Sequence, residues 1–415
     1  MNYQLTRLSR KSRPDPYLIV FLATVITTTV FARQSTPQQT PTFRVGTDVV
    51  LVEAQVSARD GAPMEGIKSE QFEVFIDGRK RPVISAELTR TSSSAPAAAP
   101  SLATMLAPTP PTGRVIVVAI DQTSFPSTAN ASAREAALRL VKRVDADDYL
   151  GLVAFPSSVA VAPTRDRAAV RAAIDKVNGH RVEALPSRFN LSASEAIALK
   201  SRDPVTTREI NIRLCQQEMA KNPTCRDEVL ADAMHIATTL EQQATLSITG
   251  LHSVIDALET VPGRKTLIVV SAGLPMSMRP GSQVNFSSET DSIGRRTAAA
   301  NVNLYVLYMN VHFMRYFSAA YGRQNRTIFE DISVFGTGLE RFADTGGGSF
   351  FQVEVGSETV VDRVLKETSA YYLLAVRTEP DMHDGKPHFI RVTVNQRGAA
   401  LRYRRIVTIP PAKPR

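Results

Sequence analysis

From Val50 the chain alternates: Val50, Val52, Ala54, Val56 and Ala58 share one face, with Leu51, Glu53, Gln55 and Ser57 opposite. A period of two is the spacing of a strand with one side in a core, so the pattern predicts a half-buried strand ending at the Asp60-Gly61 turn. Phe72, Val74 and Ile76 repeat it, Asp77-Gly78 is a two-residue hairpin signal, and Pro82 to Leu88 returns as a further strand. An antiparallel β module over 45–90 is expected. Thr91 to Thr112 then runs through Ser, Ala, Thr and five prolines without a charge, which cannot build a core and predicts a linker over 91–112.

Beyond the linker the rhythm changes. Val115 to Ile120 is a continuous apolar run, Ala133 to Val144 is helical, Tyr149 to Phe155 is a second run, and Arg167 to Val177 is helical again. Thr266 to Val270, Leu304 to Tyr308 and Phe350 to Val353 are further short strands, with helices around Arg295 to Ala300 and Ile328 to Ala343. Such alternation predicts an α/β domain, a doubly wound, mostly parallel sheet with helices on both faces. Between its halves, Ser192 to Thr260 reads as almost entirely helical. Val229, Ala233, Ile236, Leu240, Ala244, Ile248, Leu251, Ile255 and Leu258 recur at three and four, one amphipathic helix of ~50 Å if continuous. The end alternates once more, with Ile390, Val392 and Val394 and then Leu401 and Tyr403, strands suited to completing the N-terminal module.

Charge and targeting narrow the setting. Arg7, Arg10, Lys11 and Arg13 precede an uncharged stretch to Phe31 and a small-residue site at Ala32, the layout of a signal peptide over 1–32. The stretch is short of the ~20 residues of a spanning helix, so cleavage rather than anchoring is expected, leaving no integral membrane domain. The whole chain carries 49 Lys and Arg against 40 Asp and Glu; without the four bases and one acid of the signal, 45 face 39. These are interspersed, and the two dense clusters, Arg79-Lys80-Arg81 and Arg402, Arg404, Arg405, fall in strand patterns expected to be solvated. No one-sided basic stripe suggests nucleic acid. Cys215 and Cys225 lie ten apart, a disulfide in an oxidising compartment, with two buried thiols as the alternative.

Catalytic constellations are missing from the pattern. There is no Gly-x-Ser-x-Gly elbow, and the six His lie at no zinc spacing. Gly346-Gly347-Gly348-Ser349 lacks the Lys of a phosphate loop and follows a helix, which makes a helix end and turn the expectation.

Several segments together resemble a known family. Phe72 to Gly78, Val117-Val118-Ala119-Ile120-Asp121, Pro262 to Thr266, Phe342 to Gly347, Tyr371 to Leu374 and Ser187 to Ser192 are similar in order and spacing to the von Willebrand factor A-related proteins of acidobacteria. The resemblance spans roughly 45–405. It implies a von Willebrand factor A-like (Rossmann-like) domain over 113–377 with a helical insert at about 190–260. A β-sandwich-like module would be completed by strands at 385–408.

Members of that family often hold a divalent cation, Mg²⁺, Mn²⁺ or Ca²⁺, beyond the strand ends and through it an acidic residue of a partner. Here the resemblance places Asp121 and Thr123 at the first motif, with Phe125 where a second hydroxyl is expected and Ala272 where a carboxylate is expected. Ser192 and Ser194 are candidates for the central hydroxyl. No other cofactor is implied. The expected function is that of an exported, non-enzymatic protein-binding or adhesion-type protein, periplasmic, surface-held or released, with a degenerate metal site. The alternatives are an envelope enzyme or enzyme subunit with its site between insert and sheet, and a structural envelope component.

Overall fold

A computed structural model describes residues 49–91, 113–157, 159–181, 187–216, 221–276, 286–311, 327–353 and 358–411. The chain divides into two units, 1–45 and 46–415, and every described residue lies in the second. The expected signal peptide, and the linker apart from Thr91, lie outside the described residues.

The α/β part is built on six strands: β5 (Val115–Asp121), β6 (Tyr149–Phe155), β7 (Val159–Thr164), β8 (Lys265–Ser271), β9 (Val302–Met309) and β10 (Gly347–Val353). They lie in the order β10-β9-β8-β5-β6-β7, parallel throughout except that β7 runs antiparallel to β6. Sequence order thus reverses direction between β5 and β8. The continuous apolar runs have their reason in the two cores. Val115, Val117 and Ala119 of β5 point to one, Ile116, Val118 and Ile120 to the other, so every position of the strand is buried.

Helices α1 (Asn130–Arg143), α2 (Arg167–Ile174) and α8 (Glu358–Glu367) cover the second core. The first core is covered by α6 (Phe286–Ala299), α7 (Ile328–Thr345) and the C-terminal half of α5 (Cys225–Glu259). Of these elements, β7 and α8 were not expected. β7 is a partly exposed edge strand containing Pro163, and α8 is a ten-residue helix with one short apolar stripe.

The insert comprises α3 (Ala193–Lys200), α4 (Pro204–Cys215) and the N-terminal half of α5. Ser192 and Glu195 form a capping box on α3, and Asp203 with Pro204 starts α4. Leu191, Ala196, Leu199, Ile210, Val229, Ala233 and Ala237 make a separate small core. Within it Cys215 and Cys225 are joined as a disulfide across the ends of α4 and α5. The 35 residues of α5 are continuous, so one helix serves two cores.

The β module has two four-stranded sheets. One is β13 (Ala400–Arg402), β1 (Val49–Ser57), β11 (Ala370–Arg377) and β4 (Val83–Arg90). The other is β14 (Ile406–Thr408), β12 (Pro387–Val394), β2 (Phe72–Ile76) and β3 (Arg79–Arg81). Val50, Val52, Val74, Ile76, Leu374, Val376, Ile390 and Val392 fill the space between them. Asp77 (φ 49°) and Gly78 (φ 78°) turn the β2–β3 hairpin in the left-handed region that the dipeptide suits.

Three expectations need correction here. The α/β domain was to run to 377, but β11 pairs with β1 and β4, so 370–377 belongs to the β module. β1 is half-buried only as far as Glu53: beyond it Gln55 and Ser57 on its polar face are buried, and Gln55 accepts a hydrogen bond of 2.7 Å from Tyr305 of β9. The basic clusters are not simply solvated faces. Buried Arg81 pairs with Glu379, Arg404 reaches Glu53 at 3.3 Å, and Arg405 holds Asp344 with two bonds of 3.0 Å. Sequence pattern alone hides a partner that arrives from another module.

Candidate functional site at the strand ends

The β module meets the starts of the parallel strands, through Arg264 before β8, Asn301 before β9 and Gly346 before β10. The opposite edge, outside the C-terminal ends of β5 and β8 where strand order reverses, is the position at which open α/β sheets bind ligands. Asp121 closes β5 there and Ser271 closes β8.

Asp121 is 2% exposed and its carboxylate is fully engaged. Oδ1 accepts from the Thr123 backbone N–H at 3.1 Å and from Thr123 Oγ1 at 2.5 Å; Oδ2 accepts from Ser271 Oγ at 3.1 Å. Thr123 Oγ1 also lies 2.6 Å from Ser247 Oγ, which projects from the middle of α5. Ser124 turns its hydroxyl to the backbone, donating to Asp121 O at 2.6 Å and accepting from Ala272 N–H at 2.8 Å. Burial pushes the Asp121 carboxyl above its ordinary range, and the Thr123, Ser247 and Ser271 hydroxyls pull it partly back.

Backbone and apolar groups border this centre among the described residues. Phe125 is buried in the core beneath α1, and its carbonyl accepts from Arg181 N–H at 3.1 Å. His180 N–H donates to Gln122 O at 2.7 Å. On the α5 side Gly250 permits the close approach: a Cβ there would lie 2.3 Å from a ring carbon of Phe155 at the end of β6.

Asp121 and Thr123 are therefore brought together as the pattern suggested, with Ser271 beside them. Ser192 and Ser194 are not the hydroxyls that join them. Ser192 caps α3, and Ser194 donates its backbone N–H to Asp331 of α7 at 2.8 Å. Ser247 was missed because it lies inside a helical stripe 124 residues away; its signal is a polar residue on an otherwise apolar face.

A hard divalent cation requires six or more oxygens, several of them commonly water. Among the described residues this centre offers one carboxylate, already accepting from three donors, and Phe125 and Ala272 contribute no side-chain oxygen. The donor set does not fit Mg²⁺, Mn²⁺ or Ca²⁺ in this arrangement. Among the described residues no group of three or more His, Cys, Asp or Glu is placed to hold a metal, and no helix is long and apolar enough to cross a membrane.

Ser349, the last residue of the glycine run, donates to Glu367 at 3.2 Å and accepts from Arg402 at 2.7 Å. It sits beside a carboxylate on the β-module side, which is no cradle for phosphate. The chain matches no protein-family model, and no curated protein matches it.

Proposed function

We propose that the chain is an exported, non-enzymatic protein-binding protein of the adhesion type. Its α/β part is a von Willebrand factor A-like domain whose strand-end site works without a cation. The observation that carries the reading is the buried Asp121 centre, in which, among the described residues, the hydroxyls are hydrogen-bonded to one another and to the carboxylate. The six-stranded order with helices on both faces supports the fold assignment. The Cys215–Cys225 bridge is compatible with an oxidising compartment.

Isothermal titration of the chelator-stripped chain with Mg²⁺, Mn²⁺ and Ca²⁺, alongside Asp121→Ala, tests this. No saturable heat is expected from either protein. Saturable binding by the wild type that Asp121→Ala abolishes would restore a metal-dependent site and overturn the reading.

A further inference from the structure

Two histidines near the start of β12 make different demands on their protons. His383 Nδ1 lies 3.0 Å from the Pro410 carbonyl, which can only accept, and Nε2 lies 2.9 Å from Thr378 Oγ1, which can donate. A ring with one proton satisfies both contacts. His388 is different. Its Nδ1 lies 2.6 Å from Asp77 Oδ2 in the β2–β3 turn, and its Nε2 lies 3.2 Å from Asp384 Oδ1 in the bend before β12. Ionised carboxylates only accept, so holding both partners takes a proton on each nitrogen, and the ring must be an imidazolium. The His388 side chain is 11% exposed, so both contacts form largely out of water.

The two carboxylates are fixed to different segments. Asp77 belongs with β12: its Oδ1 accepts from Phe389 N–H at 3.0 Å, and its own N–H donates to Phe389 O at 2.8 Å. Asp384 belongs with the bend over 383–386, where its Oδ1 also accepts from Lys386 N–H at 2.8 Å. That bend in turn holds the chain beyond β14, through Gly385 N–H to Ile409 O at 3.1 Å and through His383 to Pro410. The elements packed around His388 bring few other charges. Lys386 Nζ lies 3.7 Å from Asp384 Oδ2, β14 contributes Ile406, Val407 and Thr408, and Arg79 and Arg391 are exposed, the latter over the Phe75 ring. Burial works against charge on His388, but the hydrogen bonds and charges of Asp77 and Asp384 outweigh it and hold the ring above the ordinary histidine value.

We propose that His388 is a pH-operated latch on the 383–386 bend: as an imidazolium it ties Asp384 to Asp77 and β12, and on losing one proton it lets Asp384 and the bend go. The asymmetry of the two contacts decides which arm opens. A neutral ring keeps its proton at Nδ1, in the 2.6 Å contact with the carboxylate already fastened to β12. Nε2 then presents a lone pair to Asp384, and an attraction at 3.2 Å becomes a repulsion. The stabilisation by the charged ring is fully present below the unfolded value near 6.5 and is lost as pH rises through the folded pKa. The latch is thus closed at and below the ordinary histidine value and opens above it, loosening the hold on Ile409 and Pro410. It lies in the β module and rests on neither the binding reading nor the Asp121 centre.

The test is nitrogen-resolved NMR of the histidine rings in the full chain, with the His388 signal identified by its loss in His388→Gln, alongside amide exchange from mildly acidic to alkaline pH. His388 is expected to titrate above the value near 6.5 of a free histidine and to emerge as the Nδ1–H tautomer. Over the same step, exchange at Gly385 and Lys386, corrected for its intrinsic rise with pH, should increase about tenfold, the worth of one charge-assisted bond, while Phe389 keeps its protection. Asp384→Asn supplies the control. An amide there can donate to a bare Nε2 and still accept from Lys386 N–H, so the bend should stay protected on both sides of the step. Asp384 is exposed, so the variant is expected to fold, and the wild-type titration and exchange decide the matter without it. Titration at or below the free value, an Nε2–H tautomer, or exchange at Gly385 and Lys386 without a step would overturn the proposal. So would a step at Phe389 in their place, or the same step in Asp384→Asn.

Discussion

Asp121 is a lone buried carboxyl whose neighbours offer hydroxyls and no charge that shifts it, so its ionisation in the fold is disfavoured by burial. Its folded pKa stands above the value near 4 of the unfolded chain. Its contribution to stability is fully present below that value and is lost as pH rises through the folded pKa. Asp121→Asn keeps the acceptor for Thr123 and presents an amide to Ser271. It should raise the melting temperature at pH 7 and leave it nearly unchanged at pH 3. A fall at pH 7, together with a melting temperature that Mg²⁺ raises in the wild type and not in the variant, would count against a centre that works without a cation. Lys265 behaves in the opposite sense. It is 2% exposed, and burial and then Arg404 depress it to about 8. The charged form is penalised below that pH, and stability recovers as pH rises from there toward the ordinary lysine value. Lys265→Met is therefore expected to raise the melting temperature at pH 7, with the gain shrinking between pH 8 and 10; a gain independent of pH would refute the assignment. Asp121 and Thr123 were legible as neighbours because two positions of one turn stay together in any fold. Ser247 and Lys265 were not, because their surroundings are assembled from segments far apart in the chain.

At the scale of elements, α5 is the piece on which the others depend. Its apolar stripe was readable end to end because 3.6-residue periodicity survives any change of partner. The change of partner itself was not readable: Val229, Ala233 and Ala237 face α3 and α4, whereas Ala244, Ile248 and Leu251 face the sheet. Ser247 marks the stretch where the helix meets the strand ends, and Ser247→Ala removes its 2.6 Å contact with Thr123 at a cost of about 1 kcal/mol. The insert end depends on the disulfide. Closing a loop with a separation of 10 stabilises by roughly 2–3 kcal/mol through the unfolded chain. Cys215→Ser/Cys225→Ser should therefore raise amide hydrogen exchange in α3, α4 and the first turns of α5, while the sheet half of α5 stays protected. Equal deprotection along the whole helix would show that insert and sheet unfold together. β7 and α8 escaped the reading for the complementary reason. Six residues with a proline, or ten with one apolar stripe, give too few periods to separate from a loop.

Across the whole molecule, the strands before and after the α/β part interleave: β1 lies between β13 and β11, and β2 between β12 and β3. Alternation at 390–403 made that closure a reasonable expectation, but the seam it creates was invisible, because its charges look like ordinary surface charges in sequence. Glu53 Oε2 accepts from Arg264 Nε at 2.9 Å and meets Arg404 Nη2 at 3.3 Å. Arg264 lies over the Tyr371 ring, and Lys265 is close enough for Glu53 to favour its charged form. One carboxylate therefore offsets two largely buried guanidiniums, one from the β module and one from just before β8, and shares Lys265 with Glu259. Truncating one partner of a buried pair leaves the others uncompensated, at ~3–5 kcal/mol. Glu53→Gln concentrates that cost at the seam, since Val50, Val52 and Val56 of β1 still fill the sandwich and the core residues of the parallel sheet are untouched. Calorimetry on the wild type should then show one transition for the β module and α/β domain. The variant should show two, the β module melting first. A single transition at the wild-type temperature would mean that Glu53 is dispensable and that the apolar contacts of the seam hold the two parts together.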